Sequence, residues 1–378
     1  MFNHSSFRIT SPRNGDILNR HDGAETDESL LITVKGSVSG TATVTVNGVA
    51  ATVEAGEFTC QVPISRRTNI LEAVAKTPGG DCADTITVLW DKKSFKRFRF
   101  SIDDNIMFLK DLGQHPEDYS SLFDHWYLAF WQRMHLEYGT KVHINIYYQT
   151  EGFDLTNMPT KWRDQWQNNA DWLHLSFHAL ANNPDRIYRN AVYTQVAHDF
   201  DLIMGHIRRF AGNEVTSRAT TIHWAECPKA AVTAVRDRGI DRLIGLFWLT
   251  DGQCTTGYYH DPATCEYINS RDYWKDTETD LVFVTCDQVV NSYSPEDVVR
   301  ELDKQEQSPH TCELIELLIH EQYFRTDLQY IAGDTIISYY KDDIQQRVIE
   351  ALKWVTKRGY EPVFWGDGFC GNPTEIPA

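Results

Sequence analysis

Phe98-Arg99-Phe100-Ser101-Ile102-Asp103-Asp104-Asn105 is a short β-rich run that closes on two adjacent carboxylates. A run of this kind reads as a strand with reactive groups at its carboxyl end, where α/β folds place their chemistry. Downstream, Lys141–Tyr148 (KVHINIYY), Trp172–Phe177, Thr220–Trp224, Arg242–Leu249, Leu281–Thr285 and Leu314–His320 read as further strands. Helical periodicity occupies the intervals, around Tyr119–Glu137 and over Arg189–Gly212, Lys229–Gly239, Pro295–Gln305 and Asp343–Gly359. Strands alternating with helices call for a parallel sheet, and this many repeats for a closed or nearly closed barrel over residues 94–378.

Upstream the pattern is different. Leu30–Lys35, Ala42–Val46, Ala50–Val53, Glu57–Val62, Asn69–Lys76 and Asp84–Trp90 are short β-rich segments, and Asn47-Gly48 is a strong hairpin signal. Evenly spaced strands without helical period predict a β-sandwich over residues 1–93. The basic stretch Lys92-Lys93-Ser94-Phe95-Lys96-Arg97 reads as the linker.

The chain has 378 residues, which favours two domains, and a net charge of −17. Such a surface repels nucleic acid and anionic membranes and accepts neutral or basic substrates more easily than sulfated or phosphorylated ones. No apolar run is long enough to span a bilayer. Met1–Thr10 lacks a basic start and an apolar stretch, so no signal peptide is read and a cytoplasmic location is the expectation, a secreted one following if the start has been trimmed. The eight cysteines form no CxxC pair and read as packed thiols, with Cys60–Cys82 or Cys254–Cys265 as alternative disulfides. Oligomeric state is not legible.

Three places carry candidate chemistry. Asp103 and Asp104 end a strand, where one carboxylate can bind a cation while the other takes a proton from water. In His174-Leu175-Ser176-Phe177-His178, the imidazoles four residues apart would share one face of a helical turn, the spacing with which zinc is gripped in HExxH enzymes. His320 ends the apolar run Leu314–Ile319, and histidine titrates close enough to neutrality to serve as a general acid. Each has a bland alternative: a solvated turn, two unrelated histidines, a satisfied core histidine.

In this order the motifs resemble the polysaccharide deacetylases, carbohydrate esterase family 4, the NodB-homology fold. Phe100–Asn105 is similar to that family's TFDDG motif, His174–His178 to its H[ST]xxH motif and Leu318–His320 to its LxH motif. The tail IQQRVIEALKWVTKRGYEPVFW resembles the family's last helix and strand. The resemblance implies a (β/α)7-type distorted barrel that removes N-acetyl or O-acetyl groups from a carbohydrate. It implies Asp103 as general base, His320 as general acid, and Asp104, His174 and His178 as ligands of a divalent metal, zinc before cobalt or nickel. Asn105 stands where the family has glycine, and the segment Thr221–Cys227 lacks the family's arginine. His223 and Trp224 in that segment, with Glu321 and Tyr323 after His320, are expected around the substrate. Other amides or esters could be cleaved on the same site, and a barrel that kept only the pocket would bind carbohydrate without catalysis. Val46–Trp90, with its NGV, GEFTCQVPI and TNILEAVAKTPGG segments, resembles the immunoglobulin-like modules attached to bacterial carbohydrate enzymes.

Overall fold

The computed structural model describes residues 7–332 and 335–377; the first six residues of the leader reading lie outside them. Two compact units emerge. One comprises residues up to Phe95 with Trp274–Asp280 and Asn372–Ala378, the other Lys96–Tyr273 and Leu281–Gly371. Two pieces of the stretch assigned by sequence to the barrel therefore cluster with the first unit.

The first unit is built of two five-stranded sheets. Leu30–Ser37 and Glu57–Ile64 pair antiparallel, and Glu57–Ile64 alternates exposed and buried residue by residue, as a strand with one wet face must. In the other sheet Thr68–Thr77 pairs with both Gly80–Trp90 and Thr43–Val46. Leu30, Val34, Phe58 and Val62 from one sheet meet Leu71, Ala73, Val88 and Trp90 from the other in a single core. The Asn47-Gly48 turn takes φ of +48° and +80°, the left-handed pair that a two-residue hairpin needs. The downstream pieces are tied in by backbone. Lys275 N donates to Gly15 O at 3.0 Å, and Trp274 Nε1 to Asn14 O at 3.0 Å. Gly15 has φ +88°, and a Cβ there would stand 1.9 Å from the Lys275 carbonyl oxygen, so no other residue fits.

In the second unit Arg97–Asn105 is the middle strand of a parallel sheet. Val142–Tyr147 and then Leu173–Ala179 lie on one side, Leu314–His320 and then Gln288–Val289 on the other. Ala219–Thr220, Arg242–Gly245 and Leu281–Thr285 pair in parallel as a second sheet. Backbone bonds stitch the two together, Leu175 N to Val215 O at 2.8 Å on one side and Asp287 N to Glu316 O at 3.1 Å on the other. The result is a mixed α/β unit with a barrel-like parallel core. Every residue of Val142–Tyr147 and Leu173–Ala179 is buried, as befits parallel strands covered on both faces. The expected strands Thr220–Trp224 and Arg242–Leu249 stop early, at Thr220 and Gly245. In the first case the cause is local: His223–Ala225 turns in a tight 3₁₀ segment in which Trp224 has φ +63°.

Successive inward residues of neighbouring strands stack in layers. Arg99 lies in register with Glu316, and Asp103 with His320, on adjacent parallel strands. The lower layer is a fully buried ion pair, with Arg99 donating to both Glu316 oxygens at 2.8 and 2.7 Å. Ser101 Oγ and Trp365 Nε1 complete the carboxylate's partners, and Arg99 Nη1 meets His143 Nδ1 at 3.0 Å. A buried pair is tolerated only with this degree of satisfaction. About 13 Å further along each strand, the same face presents Asp103 and His320 at the carboxyl ends.

Candidate metal centre

The Asp103–Asp104 turn is shaped by a bulge. Pairing with Val142–Tyr147 shifts register between Ile102 and Asn105, and Asp104 takes φ +62°. The extra residue lets adjacent side chains aim into one cavity instead of to opposite faces. Asn105 explains the absent glycine. Its buried amide donates to Ile102 O at 2.7 Å and Asn145 O at 3.1 Å, and its oxygen accepts from Tyr127 at 3.1 Å.

Asp104 is the hub. Its Oδ1 accepts from Tyr147 Oη at 2.5 Å and lies 3.1 Å from His178 Nε2 and 3.7 Å from His223 Nε2. Its Oδ2 accepts from Gln322 Nε2 at 2.8 Å. Asp104, His178 and His223 each offer a ligand atom, all within 4.8 Å of one another. Burial disfavours the Asp104 carboxylate, but the His178 hydrogen bond and the charges of His320 and His178 outweigh it and hold the group far below the usual carboxylate range.

The donor set fits a metal by its tautomers. His178 Nδ1 lies 2.6 Å from the Thr221 carbonyl oxygen, which can only accept, so that nitrogen carries the proton. Nε2 faces the Asp104 carboxylate at 3.1 Å, and against the effect of burial the charges of Asp103 and Asp104 raise the His178 pKa. Two acceptors at 3.1 Å need a cation or a proton between them, and a carbonyl behind the ring is the usual support of a metal-bound imidazole. His223 is kept neutral, its pKa lowered to about 4 by burial and by His178, so a ring nitrogen is free to bind. One carboxylate and two imidazoles suit zinc.

His174 is not brought to this cluster. The helical turn expected for His174–His178 is a strand, Leu173–Ala179, and four strand residues span about 13 Å. His174 lies at the strand's far end, in register with His143 and stacked on Phe364 with centroids 3.6 Å apart. Burial and Lys141 lower its pKa to about 3. His223 stands in its place beside His178.

Asp103 is buried, and Asn145 Nδ2 donates to its Oδ1 at 2.6 Å. Burial raises its pKa, the charges of His178 and His320 opposing, which makes it a stronger base than a surface aspartate. His320 Nδ1 meets Asn291 Oδ1 at 2.8 Å, leaving Nε2 for the cavity. That cavity is about 560 Å³ and is lined by Asp103, Asp104, His178, His223 and His320. Trp224, Trp248, Tyr323 and Tyr339 supply aromatic walls. The Trp224 indole is held in place, its Nε1 donating to Asp185 at 2.6 Å and the Arg186 guanidinium lying 4.1 Å from its ring centroid.

Glu321 departs from its expected place. It is buried, and its carboxylate accepts from the backbone N–H groups of Ile106, Met107 and Phe108 at 2.9, 2.9 and 2.6 Å. It thereby caps the helix Met107–Gln114, which has no side-chain cap of its own. Tyr147, Asn145, Asn291 and Gln322 were not singled out by sequence. Tyr147 ends an apolar strand, as His320 does, and the same signal applied there finds it.

No family model matches the sequence, and no curated protein matches it. Among solved structures it is similar to Agd3, described as a novel carbohydrate deacetylase, at 8% identity and a TM-score of 0.37, over 85% of this chain and 68% of that one. A putative alpha-galactosidase from Bacteroides fragilis follows at 11% identity and TM-score 0.24, over 93% and 79%. Beta-glucuronidase 2 of Bacteroides uniformis, as a calcium-binding mutant, matches at 10% and 0.26, over 85% and 46%. Likeness at this level assigns neither fold nor function. No helix among the described residues is long and apolar enough to cross a membrane.

Proposed function

We propose that the second unit is a metal-dependent hydrolase, of (β/α)7-type distorted barrel, that removes N-acetyl or O-acetyl groups from a carbohydrate. The first unit is read as an immunoglobulin-like module. The observation that carries this reading is the Asp104, His178 and His223 cluster, flanked by Asp103 and His320 in register on adjacent strands. A divalent cation, zinc by default, bound to those three side chains would polarise a carbonyl and acidify water.

The chain's own groups supply the rest. Asp103, with its raised pKa and its Asn145 partner, accepts the proton of the attacking water. His320, oriented by Asn291, donates a proton to the departing nitrogen, without which an amide does not break readily. Tyr147 and Gln322 fix the Asp104 carboxylate through one hydrogen bond to each oxygen. The aromatic walls exclude water and offer flat apolar faces to a sugar ring, while Asn182, Asn183 and Asp185 offer groups for its hydroxyls.

Acetate release from N-acetylated and O-acetylated oligosaccharides, by chelator-treated protein with and without added zinc, cobalt or nickel, tests the reading. Zinc-restored release supports it. Binding of the oligosaccharides without release under any metal contradicts it and leaves the pocket a lectin-like one.

A further inference from the structure

A second cleft of about 730 Å³ in the same unit has no part in the chemistry above. Trp126, Tyr340, Arg325, Asp327, Asp342 and Gln346 are among its lining residues. Trp126 and Tyr340 are both exposed, at 45% and 39%. Two exposed aromatic side chains lining one cleft give it a partly apolar face open to solvent.

The cleft is pre-organised. The His125 ring backs the Trp126 indole, stacked at 5.7 Å and 29°. His125 Nε2 in turn meets Asp111 Oδ2 at 3.2 Å, and the same Asp111 oxygen accepts from Arg325 Nη1 at 2.7 Å. Arg325 also grips Asp327 with two bonds, at 2.9 and 2.8 Å. Its charge is thus spent on carboxylates, so the cleft has no cation to offer an anionic ligand. Amide, carboxylate and hydroxyl groups beside two exposed aromatic faces match neutral or amine-bearing sugar units.

The two clefts are lined by consecutive residues of the same segments. Tyr323 lines the metal cavity and Phe324 the second cleft; Tyr339 lines the first and Tyr340 the second. These two segments are joined by Lys341 N donating to Tyr323 O at 3.0 Å, and the Tyr323 and Tyr339 rings meet edge-on at 5.8 Å. Neighbouring residues of both segments thus line the two clefts in turn.

We infer that the Trp126–Tyr340 cleft is a distal carbohydrate subsite, which makes the ligand an oligosaccharide of neutral or amine-bearing units and not a single sugar. The inference rests on the proposed function for the identity of the other cavity, but its test does not require catalysis. Chelator-treated full-length protein is titrated calorimetrically with N-acetylglucosamine and N-acetylgalactosamine oligosaccharides, from disaccharide to hexasaccharide. In at least one series the hexasaccharide binds more tightly than the disaccharide. Trp126→Ala weakens the hexasaccharide about tenfold, the worth of one stacking face, and leaves the disaccharide unchanged. Tyr340→Ala, at an independent surface position, acts in the same direction, with circular dichroism showing that both variants are folded. Affinity independent of length, equal binding by wild type and both variants, or no binding in either series overturns the inference. Length-dependent binding lost in Trp126→Ala, alongside absent acetate release by the metal-loaded protein, would overturn only the hydrolase reading.

Discussion

Asp103 and His320 stand directly across from one another on adjacent parallel strands, as the last matched pair before the strands end. The two groups proposed as base and acid are thereby fixed by backbone hydrogen bonds and not by a flexible loop. Each has one further side-chain tether, Asn145 for Asp103 and Asn291 for His320.

This arrangement predicts separable losses. His320→Ala should lower amide hydrolysis by about 10²–10⁴-fold while metal content and fold persist. Ester hydrolysis, whose leaving alkoxide needs less protonation, should fall less. Steady-state rates on matched N-acetyl and O-acetyl substrates decide it, and equal losses on the two would remove His320 from the acid's role.

Tyr147 and Gln322 are expected to act through Asp104 and not on substrate. Tyr147→Phe removes the 2.5 Å bond to Oδ1 and should weaken metal affinity by about 10–100-fold, the usual effect of losing a ligand's hydrogen-bond partner. Competition with a fluorescent zinc chelator measures this. A variant with wild-type metal affinity but reduced rate would instead place the phenol on the substrate.

Glu321 should matter for stability. Glu321→Ala strips three backbone N–H groups of their acceptor and should cost roughly 2 kcal/mol or more in urea unfolding. Burial pushes the Glu321 carboxyl up to about 7, the three donors notwithstanding. Because the folded pKa lies above the ordinary glutamate value of about 4.3, the protonated form is the one the fold favours. Its stabilising contribution is full below that ordinary value and declines as pH rises toward 7. Wild type compared with Glu321→Gln should therefore lose relative stability between about pH 4.5 and 7.5. A constant difference across that window would contradict this.

Removing the first unit should be harmful. A chain beginning at Lys96 leaves Trp274–Asp280 without Asn14 and Gly15, which bond Trp274, Lys275 and Thr277. It also leaves Asn372 without Asp91. Because Trp274–Asp280 and Asn372–Ala378 belong to the first unit, a truncated chain should aggregate or melt markedly lower. Thermal unfolding of both chains settles it; equal melting would make the sandwich detachable.

The parallel strands were legible because covered strands are written as unbroken apolar runs, and the first unit's strands because alternation and Asn47-Gly48 are local signals. The acid pair and His320 were legible because polar residues ending such runs are conspicuous. The histidine pair misled. Spacing of four means one helical face or the two ends of a strand segment, and His174-Leu175-Ser176-Phe177-His178 is strand. His223 was noticed, but its partnership with His178 depends on the turn at Trp224, whose left-handed backbone carries none of the Gly, Asn or Asp that usually mark such a turn. Glu321 followed a candidate acid and so read as pocket wall, when its three acceptor bonds run to a helix more than two hundred residues earlier.

Which side chains hold the metal is measured most directly by the metal content of purified His223→Ala and His174→Ala, determined by elemental analysis beside wild type. The structure predicts one equivalent of divalent metal in wild type and in His174→Ala, and its loss from His223→Ala together with acetate release. Metal retained by His223→Ala and lost from His174→Ala would contradict the assignment, and a wild type that binds none after zinc loading would contradict the metal site altogether.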